Sequence, residues 1–271
     1  MIVPDTLGGC SVTAIGNYAF YFKAEIARIV LPQSLRSIGD GAFSNCAGLE
    51  EIILPDGLES IGVDVFYCCY ALKSIRLPAG LRSLGAGCFS YCPALTEIAV
   101  DPANPVFIEA DGAVVDTSTR TLLAYPLARE ATEFTTPAGV ETIANYTFEG
   151  CGQLQHIVVG EGVREIGMKA FAYCDGLVDI SLPSTFTDAT GPFLYNCRAL
   201  RDVTVHADNP VYAVVDHALY NTRDAELLFL PYSQVGREFT VPEDGYYAIS
   251  MHSQQNFVRG INVYRKIYID G

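Results

Sequence analysis

Basic residues are scarce in this chain: 17 lysines and arginines stand against 31 acids, a formal charge of −14 over 271 residues. Nucleic acid and anionic lipid both require a basic patch that displaces counterions, so neither is expected as a partner. The plain reading of the acid excess is solubility for a long surface. No window approaches the ~20 consecutive apolar residues that cross a bilayer, so no membrane insertion is expected. Met1 to Thr6 has neither a basic n-region nor an apolar h-region. Leu7, Gly8, Gly9 and Cys10 match the L-x-x-C of a lipoprotein cleavage site, but no apolar stretch precedes them, which makes the match a coincidence. Catalytic signatures are missing as well: there is no G-x-S-x-G, H-E-x-x-H, P-loop or EF-hand loop. Gly85-Ala86-Gly87 is a fragment of a nucleotide fingerprint inside a repeat, and His156, His206, His217 and His252 share no spacing with cysteines or carboxylates. A non-enzymatic protein without cofactor or metal is the expectation.

What the chain does contain is a repeat. Leu49, Ile52 and Leu54 recur as Leu72, Ile75 and Leu77, then as Leu95, Ile98 and Val100, with a step of 75 − 52 = 23 residues. After an interruption the pattern returns as Leu154, Ile157 and Val159, then Leu177, Ile180 and Leu182, again 23 apart. A fixed period of this size marks a solenoid, whose units bury their apolar faces only by stacking. The L-x-x-I-x-L-P part reads as a short parallel strand ended by its proline. The following I-G-x-x-A-F-x-x-C, as in Ile38, Gly39, Ala42, Phe43 and Cys46, has apolar spacing of about one helical turn and reads as a short helical return. Phe43, Phe66, Phe89, Phe148 and Phe171 then form a buried stack.

L-x-x-I-x-L-P, I-G-x-x-A-F and the trailing cysteine together resemble a leucine-rich repeat, and among these the BspA-like class of bacterial surface proteins and some parasitic protists. The resemblance covers roughly residues 1 to 240. It implies an α/β leucine-rich-repeat solenoid, with short parallel strands on one face and short helical turns on the other. It also implies an extracellular or cell-surface location, where adhesion to host matrix proteins is the usual proposal. Fold alone does not imply an activity.

The repeats run without a linker, so residues 1–271 are expected to form one solenoid domain. Residues 1–28 make an atypical first repeat, with Lys23 at the cysteine position. The chain begins inside a repeat, since Ile2, Val3 and Pro4 read as a strand end, which leaves room for an upstream segment with an export signal. Regular repeats follow from Ile29, Ile52 and Ile75. Residues 101–133 break the period with two alternating apolar runs around a Ser/Thr-rich turn, a β-hairpin signal, and residues 206–238 repeat the interruption. Asn104-Pro105 and Asn209-Pro210 lie 105 residues apart, as do Ile98 and Val203, so the hairpin belongs to a longer super-repeat and is expected to project from one edge. Residues 245–271 depart from the motif and read as a C-terminal cap.

Cys46, Cys69 and Cys92 share one repeat position, as do Cys151, Cys174 and Cys197. Such a column stacks at about 4.8 Å. Small buried filler carries most of the weight, because free cysteine is among the most buried residue types. Disulfides between rungs are geometrically allowed but find no unique pairing in a column of identical residues. A metal site has least support, because no C-x-x-C has a matching partner. Cys68 aligns with Asn45 and Tyr91 and is expected to be an exposed thiol.

In L-x-x-I-x-L the Ile and the last Leu point inward, so the residues flanking the Ile face the open side of the sheet. One open-face column is Arg28, Glu51, Ser74, Glu97, His156, Asp179 and Asp202; beside it run Val30, Ile53, Arg76, Ala99, Val158, Ser181 and Thr204. Each position has a bland reading as a solvated strand residue. Together they form the candidate ligand-binding face for a protein or glycan, with a basic protein surface suited to the acids. The alternatives are a structural spacer or stalk carrying another domain, and a carbohydrate-binding accessory module using Tyr146, Tyr173 or Tyr195.

Overall fold

The computed structural model describes residues 1–224 and 226–231. Each 23-residue unit is one rung of a β-solenoid and contributes two short strands to separate parallel columns. On the open side the strands are Arg28–Val30, Glu51–Ile53, Ser74–Leu77 and Glu97–Val100, followed by Glu133–Thr135, His156–Val158, Asp179–Leu182 and Asp202–Val205. The second column is built of two-residue strands, among them Ser37–Ile38, Ser60–Ile61 and Ser83–Leu84. The register is in step with the repeat: Ile29 pairs with Ile52, and Ile157 with Ile180, which pairs in turn with Val203.

The expected helical returns are absent. No helix occurs among the described residues. Where I-G-x-x-A-F-x-x-C turns, two residues per rung adopt left-handed backbone: Gly41 (φ 58) and Asn45 (φ 61), Asp64 (φ 54) and Cys68 (φ 58), Gly87 (φ 69) and Tyr91 (φ 55). A helix needs a run of uniform right-handed residues, so this alternation excludes one. The hydrogen bonds show what replaces it. Ala42 and Ser44 donate N–H within their own turn, to Gly39 and Gly41 carbonyls, while Phe43 and Asn45 donate to Val65 and Tyr67 carbonyls of the next rung at 3.0 and 2.7 Å. The inter-rung ladder therefore continues through the turn, and the apolar spacing of three to four comes from a tight arc.

The phenylalanines are buried as expected but stack in two runs rather than one. Phe20, Phe43, Phe66 and Phe89 lie ring on ring at 5.1, 5.8 and 5.7 Å, and Phe148 stacks on Phe171 at 5.1 Å. The cysteine column sits behind it as free thiols. In five of the six, Sγ–H donates to the carbonyl of the phenylalanine 26 residues earlier: Cys46 to Phe20 (3.0 Å), Cys69 to Phe43 (3.3 Å), Cys92 to Phe66 (3.1 Å), Cys174 to Phe148 (3.2 Å) and Cys197 to Phe171 (2.9 Å). Burial raises the thiol of Cys69 and pushes that of Cys92 up to about 12. These cysteines are soft filler with one weak donor, a second contact for carbonyls such as those of Phe43 and Phe66, which already accept the N–H groups of Cys46 and Cys69 in their own turns. Cys68 corrects the expectation of exposure: it is 7% exposed, with the Tyr70 hydroxyl 3.5 Å from its sulfur. The exposed thiol is Cys10.

The two interruptions are also not projecting hairpins. The first is a three-stranded antiparallel meander, Phe107–Ala110, Ala113–Asp116 and Thr121–Ala124, whose last strand pairs in parallel with Thr142–Ile143 of the next rung. Its central strand is buried on both faces. Phe107, Val114 and Ala124 join the core of the preceding repeats, while Ala113, Val115 and Leu122 join that of the following ones. The meander is thus a septum between two apolar cores. Asn104, 8% exposed, fixes its entry: the amide donates to Pro78 and Leu81 carbonyls at 2.8 and 3.0 Å and accepts the N–H groups of Val106 and Phe107. Asn209 makes the corresponding four bonds before the second meander, Tyr212–Val215, Ala218–Asn221 and Glu226–Phe229. The Asn-Pro super-repeat signal is this anchor. The expected cap at 245–271 lies outside the described residues.

Candidate recognition face

Strand pairing places the two open-face columns as alternation requires. Arg28 stands opposite Glu51, Ser74 opposite Glu97, and His156, Asp179 and Asp202 follow on successive rungs. In the second column Val30 faces Ile53, Arg76 faces Ala99, and Val158, Ser181 and Thr204 follow one another. None of these side chains enters a core. The meander divides the columns, so no strand pairing connects Glu97–Val100 to Glu133–Thr135.

Two features of the face were not visible in the columns as lists of residues. First, polar side chains on neighbouring rungs pair with one another: Arg28 with Glu51 at 3.3 Å and Arg76 with Asp101 as ion pairs, His156 Nδ1 with Asp179 at 2.6 Å, and His217 Nδ1 of the second meander with Asp202 at 3.6 Å. Exposed pairs of this kind contribute little stability, about 0–1 kcal/mol each. Their effect is to fix the pattern of charge on the face. Second, Ile2, bridged in parallel to Val30, extends the apolar part of the second column into a stripe of Ile2, Val30 and Ile53, exposed by 75, 58 and 71%. The strand-like Ile2-Val3-Pro4 was the signal for that added rung.

The turn side carries tyrosines in edge contact. Tyr67, Tyr91, Tyr173 and Tyr195 follow one another at 5.6, 5.8 and 5.4 Å. The Tyr67–Tyr91 and Tyr173–Tyr195 pairs are both T-shaped at 75°, and Lys169 Nζ lies 5.9 Å above the Tyr195 ring. Tyr173 and Tyr195 therefore spend ring surface on neighbours, and Tyr146 stands outside this run. Within the same region Glu149 is 5% exposed. Burial raises its carboxyl to about 7, with Lys169 and Ser90 opposing the shift and Asp64 adding to it. Ser90 hydroxyl donates to the Tyr146 carbonyl at 3.2 Å, so Glu149 lies where the two blocks of repeats meet. Its signal in the sequence was an acid at the position that holds Ser44, Tyr67, Ser90 and Ala172 in other copies.

Among the described residues no three His, Cys, Asp or Glu side chains gather as metal ligands, and no helix is long and apolar enough to cross a membrane.

A parallel β-solenoid with leucine and isoleucine on its inner positions and two solvent-facing columns outside defines a leucine-rich-repeat protein. The family described as "BspA type Leucine rich repeat region" matches residues 13–109 and 125–235 in 6 copies, which is most of the chain, and the protein belongs to that family. Among solved structures, a leucine-rich repeat protein from Eubacterium ventriosum is similar over 73% of this chain and 58% of its own, with 25% identity and a TM-score of 0.62. The pneumococcal vaccine antigen PcpA is similar at 22% identity over 76% of this chain and 72% of its own, TM-score 0.56. A leucine-rich repeat protein from Bacteroides ovatus follows at 24% identity, covering 75% of this chain and 54% of its own, TM-score 0.52. The chain thus spans under two thirds of the first and third of these. No curated protein matches it.

Proposed function

We propose that the protein is a non-catalytic recognition domain that binds a protein or glycan ligand on its open sheet face, at a bacterial cell surface. The family supports the class of function and the location. The observation that carries the face is the exposed stripe Ile2, Val30 and Ile53 beside an ordered column of charge: soluble surfaces seldom leave three registered aliphatic side chains in solvent without use. Solenoids characteristically recognise partners through such extended faces. The acids suit a basic protein surface, and Glu97 has no ion pair among the described residues. The test is binding of labelled protein to an array of host matrix proteins and glycans, with Glu51→Lys/Glu97→Lys/Asp179→Lys as the comparison. Saturable binding that the triple variant loses is the expected result. Absence of binding by folded wild type would favour the spacer reading, for which the mutual pairing of Arg28 with Glu51 and His156 with Asp179 is the supporting observation.

A further inference from the structure

The turn side of each block is laced by one backbone pattern, and between the blocks the pattern stops. Gly41, Phe43 and Asn45 donate N–H to the carbonyls of Val63, Val65 and Tyr67 on the next rung, and beyond the meander Tyr146, Phe148 and Gly150 donate likewise to Met168, Ala170 and Ala172. At the junction the equivalent donors are Gly87, Phe89 and Tyr91, and the equivalent carbonyls are those of Asn145, Thr147 and Glu149. None of these six backbone groups makes a hydrogen bond. Two further registers lapse at the same place. Cys151 is the one cysteine of its column with no bond to the phenylalanine of the preceding rung, which is Phe89, and the ring stack that ends at Phe89 starts again only at Phe148. Tyr125 takes the place beside Phe148 at 5.2 Å, and its buried hydroxyl has no partner.

Unpaired backbone groups inside a protein cost about as much as a lost hydrogen bond, and native structures carry few. Six at one seam mark two blocks that touch without being laced together. What crosses the seam on this side is side chains: Ser90 Oγ donates to the Tyr146 carbonyl at 3.2 Å, and the Tyr91 ring lies over Gly150 and reaches Tyr173 at 5.8 Å. On the open side the meander leaves the strand columns unpaired at the same level.

We propose that this seam is a hinge between the two blocks, closed while Glu149 is protonated and loosened when it ionises. The groups around Glu149 are Asp64 and Tyr67 from earlier rungs, Ser90 and Tyr91 across the seam, Tyr146 in its own turn and Lys169 on the next rung. One cation among them does not offset burial, which raises the carboxyl to about 7. Once ionised, the carboxylate demands water, and the unpaired N–H and C=O groups beside it bind the same water. The hinge sets the angle between the half-column of the open face that holds Glu97 and the one that holds His156, a consequence that rests on reading the protein as a recognition domain.

Two readouts on the full chain test the hinge without any ligand. In amide hydrogen exchange corrected for intrinsic rates, segment 87–91 is expected to speed up by about ten- to a hundredfold relative to segment 41–45 between pH 5 and pH 8. That span is what linkage gives for a carboxyl that moves from about 7 when closed to ~4.3 when solvated. The excess is expected to vanish in Glu149→Gln, and in Glu149→Ala, which installs the residue that Ala172 supplies one rung on. Energy transfer between dyes at Cys10, the exposed thiol of the first block, and at Asp208→Cys on the second is expected to change over the same interval and to stay constant once Glu149→Gln is added. An equal pH response of the two segments, an excess that persists in both Glu149 variants, faster exchange of 87–91 at pH 5 than at pH 8, or a transfer efficiency that does not move each overturns the hinge. Array binding by the folded protein depends on none of these outcomes, so the hinge can fail while the open-face reading stands.

Discussion

At the scale of single residues the fold depends on side chains that repeat with the rungs. Phe66 has rings stacked on both sides at 5.8 and 5.7 Å and is fully buried, so Phe66→Ala leaves a cavity inside a closed stack. A loss of about 3–5 kcal/mol is expected in chemical denaturation, and a midpoint near wild type would show that the stack is not what holds the rungs. Cys69, fully buried and with its thiol raised by burial, should react with a thiol reagent far more slowly than Cys10. Comparable rates, read by mass spectrometry of the folded protein, would contradict its placement. Asn104 makes four hydrogen bonds from a buried amide. Asn104→Ala removes all four bonds, though the Pro78 carbonyl keeps the Leu81 N–H, so a cost of about 2 kcal/mol is expected where a surface asparagine would cost almost nothing.

At the scale of elements, the strands were legible and the turns were not. Alternation around Ile52 and Ile75 tells which side chains enter the core, and the register of Arg28 with Glu51 and His156 with Asp179 follows from stacking copies in phase. The turn motif was misread because Ile38, Ala42 and Phe43 have spacing that a helix and a tight arc share; the left-handed residues that decide between them, Gly41 and Asn45, carry no apolar signal. A substitution at Asn45 distinguishes the two structures. In the arc Asn45→Gly should be neutral or mildly stabilising and Asn45→Val should cost about 1–2 kcal/mol at φ 61. A helix predicts the reverse order, since glycine there costs up to about 1 kcal/mol. The meander was read as strands, but a projecting hairpin needs one polar face. The unbroken Ala113-Val114-Val115 was the sign of a strand buried on both.

At the scale of the whole molecule, two stacks of rungs meet at a septum, and Glu149 is a buried acid at that junction. Its carboxyl is raised to about 7 by burial, above the ~4.3 of an unfolded glutamate. The folded state therefore binds the extra proton between those values, and stability falls as pH rises through that window. Wild type should lose melting temperature from pH 5 to pH 8 relative to Glu149→Gln, which carries no titrating group there; a difference between the two that does not change with pH would remove Glu149 from the account. Function was the least legible property at this scale. The columns Glu51, Glu97 and Asp179 could be placed on one face from alternation, whereas the side-chain pairs that tie Arg28 to Glu51 and His156 to Asp179 depend on rotamers that no repeat pattern specifies.

The claim that recognition belongs to the open sheet is tested most directly by one paired comparison on a matrix-protein and glycan array: Ile53→Asp in the middle of the exposed stripe against Tyr195→Ala on the turn side, each checked for wild-type melting. Binding lost in Ile53→Asp and kept in Tyr195→Ala is the result predicted here; binding kept in Ile53→Asp and lost in Tyr195→Ala would contradict it and place recognition on the tyrosine edge.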